Sequence, residues 1–316
     1  MPNIRFLEDK PVYLKLIFLV LIIFISTLFT ILLGMLVSAP FFGSDLFKSI
    51  SMSNGTIDSQ FINQFKYLQI VSQFGMFIFP ALIFGYFSGN KMFEQLGFKK
   101  VKVVLLIISG CIIFLYLPLS NWFSLINSWL TFPESLSGLE TWMKNSENEA
   151  NQLTEAFLYS NSYKGLLVNI LMIGILPAIG EELIFRGIIQ KLFIGWTKNI
   201  HAGIIISALL FSFIHFQFYG FLPRFLLGAL FGYLFVWSGS IWVPILVHFI
   251  NNTAIVIVGF LYARGSISTD INSFGSTTNP LVLICSFVFV SALMFFVFKN
   301  RVNTELEKKS NLQEDN

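Results

Sequence analysis

Glu181, Glu182, Arg186, His215 and His248 are ionisable side chains set in stretches of sequence that are otherwise almost wholly apolar. Such groups cost roughly 2.5–3.5 kcal/mol each at the centre of a bilayer and mark functional sites by default. A carboxylate, two imidazoles and a nearby amide suit hydrolysis of a carbonyl compound. Glu181 would be the general base on water, with His215 positioning that water. His248 and Asn252 would donate hydrogen bonds to the developing oxyanion. The same atoms allow a second scheme, in which Glu181, His215 and His248 bind Zn2+ and leave one position open for water. In that metal scheme the base could be Glu182, and its pairing with Arg186 becomes awkward. The sequence does not choose between the two.

Helical spacing separates the two glutamates. Glu182 and Arg186 are i,i+4 neighbours, acid before base, so a structural ion pair that locks the helix is their first reading. Glu181 points about 100° away around the same helix, which leaves its carboxylate for another task. His248 and Asn252 are also i,i+4 and present an imidazole and an amide to one partner, with Asn251 beside them. Counted at about 1.5 Å per residue, Glu181 lies ~18 Å, His215 ~20 Å, His248 ~10 Å and Asn252 ~16 Å from the inner ends of their helices. All four fall near one middle layer.

The elements that must position these groups are membrane crossings. The 316 residues are 55% hydrophobic and 17% aromatic, and only 12% are charged. Roughly 25% charged is usual for a soluble domain, so a soluble enzyme, a disordered chain and a nucleic-acid binder are excluded. Eight apolar stretches are long enough or nearly so: Leu14–Val37, Tyr67–Phe87, Val101–Phe123, Gly165–Phe193, Ala202–Phe218, Phe221–Trp237, Ile241–Tyr262 and Pro280–Phe298. The predicted fold is an all-α polytopic bundle of about eight transmembrane helices. Cys111 and Cys285 lie inside apolar runs and imply no disulfide framework.

Most of the 20 Lys and Arg residues, from Arg5 and Lys10 to Arg301 and Lys309, fall on one side if both termini are cytoplasmic. That satisfies the positive-inside rule and predicts an integral multi-pass protein, in the inner membrane if bacterial. Lys15, Lys102, Lys191 and Arg224 stand near helix ends and can snorkel to the interface. Residues 124–164 form an outer loop in which Leu136, Leu139, Trp142, Met143, Ala150, Leu153 and Phe157 recur at helical spacing. This predicts an amphipathic helix on the outer interface, packed on the bundle top or closing over a site. The stretch 165–262 is the expected catalytic core, 263–298 a loop and last crossing, and 299–316 a polar cytoplasmic tail.

Three short runs carry a resemblance. Gly180-Glu181-Glu182-Leu183-Ile184-Phe185-Arg186-Gly187 is similar to the E-E-x-x-x-R motif of the CAAX prenyl protease type 2 and bacteriocin-processing (Abi) family of intramembrane proteases. Phe211–His215 resembles that family's F-x-x-x-H motif, and His248–Asn252 its H-x-x-x-N motif. They occur in the family's order on separate crossings, within about Gly165–Tyr262. The resemblance implies an eight-helix membrane endopeptidase acting on a membrane-associated protein or peptide. Carried over, Glu181 and His215 activate water, His248 and Asn252 form the oxyanion site, and Glu182, Arg186 and Phe211 support them. The family's eukaryotic members remove the last three residues of prenylated proteins, while others process or confer immunity to peptides, so the substrate does not transfer. Metal dependence is unsettled in the family.

Two other classes compete. A non-catalytic scaffold or bacteriocin-immunity protein could use the same fold. A proton-coupled transporter also places carboxylates and histidines in the membrane, but it would spread them over several crossings. Replacing Glu181 by Gln separates the three: a protease loses cleavage, a scaffold keeps function, and a transporter loses flux.

Overall fold

The computed structural model describes residues 6–42, 59–89, 91–130, 132–269, 271 and 273–302. The polar tail from 303 onward and the basic residues Arg5, Lys48, Lys308 and Lys309 lie outside them. Nine helices organise the described residues: α1 (Val12–Phe42), α2 (Ile62–Ser88), α3 (Val103–Ser128), α4 (Ser137–Leu158), α5 (Tyr163–Thr197), α6 (Ile200–Phe213), α7 (Phe221–Ser238), α8 (Trp242–Ala263) and α9 (Pro280–Lys299). No strand occurs among the described residues. Seven of the nine are long and apolar enough to cross a bilayer; α4 is polar and α6 is short. This is the all-α membrane bundle expected.

Burial shows which helix is central. The most apolar window of α5 is 61% buried, against 11% in both α1 and α9. The outer pair therefore turns its aliphatic and aromatic side chains outward, as lipid-facing helices do. α5 begins where Ser162 accepts a hydrogen bond from the Gly165 N–H, two residues before the expected start. It runs on to Thr197, four residues past the expected Phe193.

Three wide turns interrupt the ladders of α2 and α5, each pairing an N–H with the carbonyl five residues back: Phe79 with Phe74, Leu176 with Leu171, and Gln190 with Phe185. Such turns are rare and favour functional segments. Two sit beside prolines. Pro177 has no N–H to offer Ile173, four residues before it, and the Asn252 side-chain amide donates to that carbonyl instead at 3.0 Å. Ser26 likewise donates to the Gly75 carbonyl, five residues before Pro80.

The fifth crossing departs from expectation. Its helix stops at Phe213 rather than Phe218, because the chain tightens through 214–216 and Phe216 takes a left-handed φ of 52°. Fourteen residues span about 21 Å, short of the ~30 Å hydrocarbon core. Residues 214–220 complete the passage as an irregular turn leading into α7.

Loop contacts define the two faces. On one, Leu7 N–H bonds Phe87 O, Ile241 N–H bonds Gly97 O, and Val302 N–H bonds Trp237 O. Both ends of the described chain therefore lie on the same face, as an even number of passages requires. On the opposite face, α4 lies against the 214–220 turn.

Candidate active site

The site is built on α5 between two of its wide turns, where Leu176–Ile184 keeps ordinary helical phase. Glu182 is fully buried, and its Oε1 accepts two hydrogen bonds: from Arg186 Nη1 at 2.8 Å and from His248 Nδ1 at 2.9 Å. The first is the i,i+4 pair read from the sequence; the second joins α5 to α8. Glu182 Oε2 and Arg186 Nε have no hydrogen-bond partner among the described residues.

Arg186 is also fully buried and is held from three sides. Its Nη2 donates to the Gly228 carbonyl of α7 at 2.9 Å. Its guanidinium carbon lies 4.8 Å from the ring centre of Phe211 and 5.3 Å from that of Phe231. A desolvated guanidinium over aromatic faces gains on the order of 2 kcal/mol from each ring's quadrupole. One turn further, Gln190 Nε2 donates to the Gly232 carbonyl at 3.1 Å. Gly228 and Gly232 permit this because a Cβ would strike α5 or α6: at Gly232 it would sit 2.8 Å from both Gln190 Oε1 and Ile204 Cγ2.

Glu181 is different. It keeps 7% exposure where Glu182 has none, and its carboxylate accepts no hydrogen bond among the described residues. His248 Nε2 lies 4.0 Å from its Oε2. The two nitrogens of His248 thus face the two glutamates. Because Nδ1 meets a carboxylate, it is the donor in that bond, and Nε2 is the nitrogen on the side of Glu181.

His215 sits beyond the end of α6, where its Nδ1 bonds the Phe211 carbonyl at 2.8 Å. A carbonyl only accepts, so here too Nδ1 carries the proton and Nε2 is free to accept. The Phe211 ring stands between the histidines, 5.2 Å from His215 and 6.1 Å from His248 by ring centres. Phe211 therefore supports Arg186 and both imidazoles at once.

Not every expected contact forms. His248 and Asn252 both reach α5, but they take different partners, Glu182 and the Ile173 carbonyl. Asn251 donates to the Oδ1 of its neighbour Asn252 at 3.1 Å. Glu181, His215 and His248 do not close into a metal-ligand set: among the described residues no group of three His, Cys, Asp or Glu is placed to hold an ion. Arg224, partly exposed near the start of α7, bonds the carbonyl and side-chain oxygen of Gln217 in the turn before that helix. Gln190, Gly228 and Gly232 were not anticipated, although Gln190 stands i,i+4 from Arg186 and the two glycines form a G-x-x-x-G spacing.

α4 lies over this region. Glu147 accepts from the Tyr219 N–H at 2.9 Å, Tyr219 Oη donates to Glu140 at 3.3 Å, and Gln217 bonds Asn151 at 3.4 Å. At its far end, buried Lys66 and Asn169 both donate to the Phe157 carbonyl. Of its apolar residues, Leu136, Leu139 and Trp142 remain exposed while Phe157 and Leu158 are buried. The helix thus packs on the 214–220 turn and, at its far end, on Lys66 and Asn169, and leaves an apolar edge exposed near its start.

Part of the chain is similar to known proteins. An "Uncharacterized protein YpbD" from Bacillus subtilis (strain 168) is 29% identical over 91 residues, which cover 28% of this chain and 43% of that protein. The chain thus spans less than half the length of that relative. No solved structure matches. Residues 163–254, which hold every side chain of the site from Glu181 to Asn252, match the family described as Type II CAAX prenyl endopeptidase Rce1-like, the family that the three motifs resemble.

Proposed function

We propose that the protein is an intramembrane endopeptidase that hydrolyses a peptide bond of a membrane-associated protein or peptide, with Glu181 as the base. The observation that carries this reading is the split between adjacent carboxylates: Glu182 is saturated on one oxygen by Arg186 and His248, while Glu181 accepts no hydrogen bond among the described residues, is partly reachable and faces the same imidazole. A purely structural cluster would pair both.

Water placed between Glu181 and His215 gives one hydrogen to each acceptor, the carboxylate and the bare Nε2. Its lone pair then points at the substrate carbonyl. As the oxygen–carbon bond forms, Glu181 takes the proton and the carbonyl oxygen becomes an oxyanion. His248 Nε2, on the side of Glu181, donates to it when that nitrogen carries a proton. The second N–H of Asn252 adds a donor. Glu181 returns its proton to the leaving nitrogen, the carbon–nitrogen bond breaks, and a carboxylic acid, which keeps the second proton of the water, and an amine leave.

The basic face that gathers both chain ends is the cytoplasmic one in this reading, in keeping with the positive-inside rule. A zinc-assisted form of the reaction would have to recruit Glu181, His215 and His248 as ligands, which requires them to move together. The test is purified wild-type protein against Glu181→Gln, in liposomes, on prenylated and plain membrane peptides. Cleavage by wild type alone is expected; equal behaviour of the two on every peptide refutes the proposal.

A further inference from the structure

The segment between α2 and α3 carries Lys91, Lys99, Lys100 and Lys102 against a single acid, Glu94. That acid is already engaged by Lys91 at 3.1 Å. The segment is docked firmly on the bundle. Ile241 N–H bonds the Gly97 carbonyl, and Ser240 Oγ donates to the Lys99 carbonyl at 2.6 Å. A Cβ on Gly97 would lie 2.9 Å from the ring of Phe235 on α7, so Lys99 stands two residues past a close contact with that ring.

Lys191 reaches the same ring from α5. Its ammonium lies 5.2 Å from the Phe235 ring centre and donates to the Gln95 carbonyl. The charged group within electrostatic reach of it is a second cation, Lys99. No carboxylate pairs with either lysine among the described residues. Lys191 is half-buried, and two ammoniums gathered in partly desolvated surroundings repel each other, which one neutral carbonyl does not offset. That carbonyl also leaves Lys191 two further N–H donors.

The depth of the pair identifies the anion it suits. It lies on the face that holds both ends of the described chain, where exposed Trp242 meets Phe98 at 5.2 Å and Trp196 is exposed near the end of α5. Tryptophans mark the level of the lipid headgroups, and the anion found at that level is a phosphate. We infer that Lys99 and Lys191 together bind the headgroup phosphate of an anionic phospholipid. A choline or ethanolamine headgroup brings its own cation to a place that already holds two, whereas a glycerol headgroup brings none. The bound lipid would tie the 91–102 segment to α5 just beyond the wide turn at 185–189, on the helix that carries both glutamates.

The test uses the full chain in nanodiscs of phosphatidylcholine and phosphatidylglycerol in equal parts, with native mass spectrometry of the lipids it retains. Wild type is expected to keep phosphatidylglycerol about tenfold or more in preference to phosphatidylcholine, as two lysines near the membrane surface imply. Lys99→Gln and Lys191→Gln should each bring the preference near one, while Lys299→Gln, at the end of α9 on the same face, should leave it. Equal retention of the two lipids by wild type overturns the inference. So does an equal loss in Lys299→Gln, which would mean a diffuse effect of surface charge. A large excess of inorganic phosphate should not displace the lipid; displacement would give the site to a soluble anion and overturn the lipid assignment. Should Lys191→Gln fail to fold, Lys99→Gln decides, since that side chain is exposed.

Discussion

His248 Nδ1 lies 2.9 Å from Oε1 of Glu182, the same oxygen that Arg186 Nη1 holds at 2.8 Å. One buried oxygen therefore fixes a cation on its own helix and an imidazole on another. In the proposed reaction Glu182 orients and Glu181 acts.

That division predicts opposite phenotypes for neighbouring substitutions. Glu182→Gln leaves Arg186 buried without its counter-charge, so a stability loss of about 3–5 kcal/mol is expected. Glu181→Gln removes no hydrogen bond and should unfold within about 0.5 kcal/mol of wild type. Its turnover should nonetheless fall by about 10²–10⁴-fold. Thermal unfolding in detergent alongside peptide cleavage measures both, and similar unfolding of the two variants would contradict the assignment.

Close helix approach at Gly232 gives a second expectation. An added methyl group there meets Gln190 Oε1 and Ile204 Cγ2 at 2.8 Å, so Gly232→Ala should cost about 1–3 kcal/mol. Gly195→Ala, on α5 with nothing within 4 Å, should be neutral or slightly stabilising. The difference in melting temperature between the two variants reports it; equal values would mean that α7 has room to shift.

Acid should loosen α4. The hydrogen bond from Lys144 holds the Glu140 carboxyl below the usual carboxylate range, and that to Glu140 raises Lys144. A depressed carboxylate contributes stability above its unfolded pKa and loses it as pH falls through the folded one. Hydrogen exchange across 137–147 and 217–221, corrected for intrinsic rate, should therefore rise below about pH 4. Glu140→Gln should show part of this rise at neutral pH, and a profile flat with pH in wild type would remove the link.

Chelation addresses the alternative chemistry. Because Glu181, His215 and His248 do not converge as ligands, a strong zinc chelator should leave peptide turnover unchanged. Loss of activity that added zinc restores would bring these three side chains together as the reacting centre.

Much of the site was legible because a membrane leaves so few reasons for charge. The Glu182–Arg186 pair and the outward turn of Glu181 follow from helical spacing alone. The bond from His248 to Glu182 does not, since it depends on how α5 and α8 cross, and counting residues from helix ends placed Glu181 and His248 about 8 Å apart in depth. Asn252 went to Ile173 because Pro177 frees that carbonyl, a backbone effect that spacing of side chains hides. The end of α6 was missed because Phe216 adopts a left-handed conformation that its residue type does not announce.

The wide turns at 170–175 and 185–189 bracket the stretch that carries both glutamates. Each holds one residue more than an ordinary turn, worth about 100° of rotation. A single deletion in either can be absorbed by reverting to tighter winding, which keeps the flanking helix on its bearing and leaves the segment between untouched. The membrane-facing surface of α5 can thus drift in sequence and length while the reactive stretch keeps its own bearing, like a bolt mounted between two slip rings.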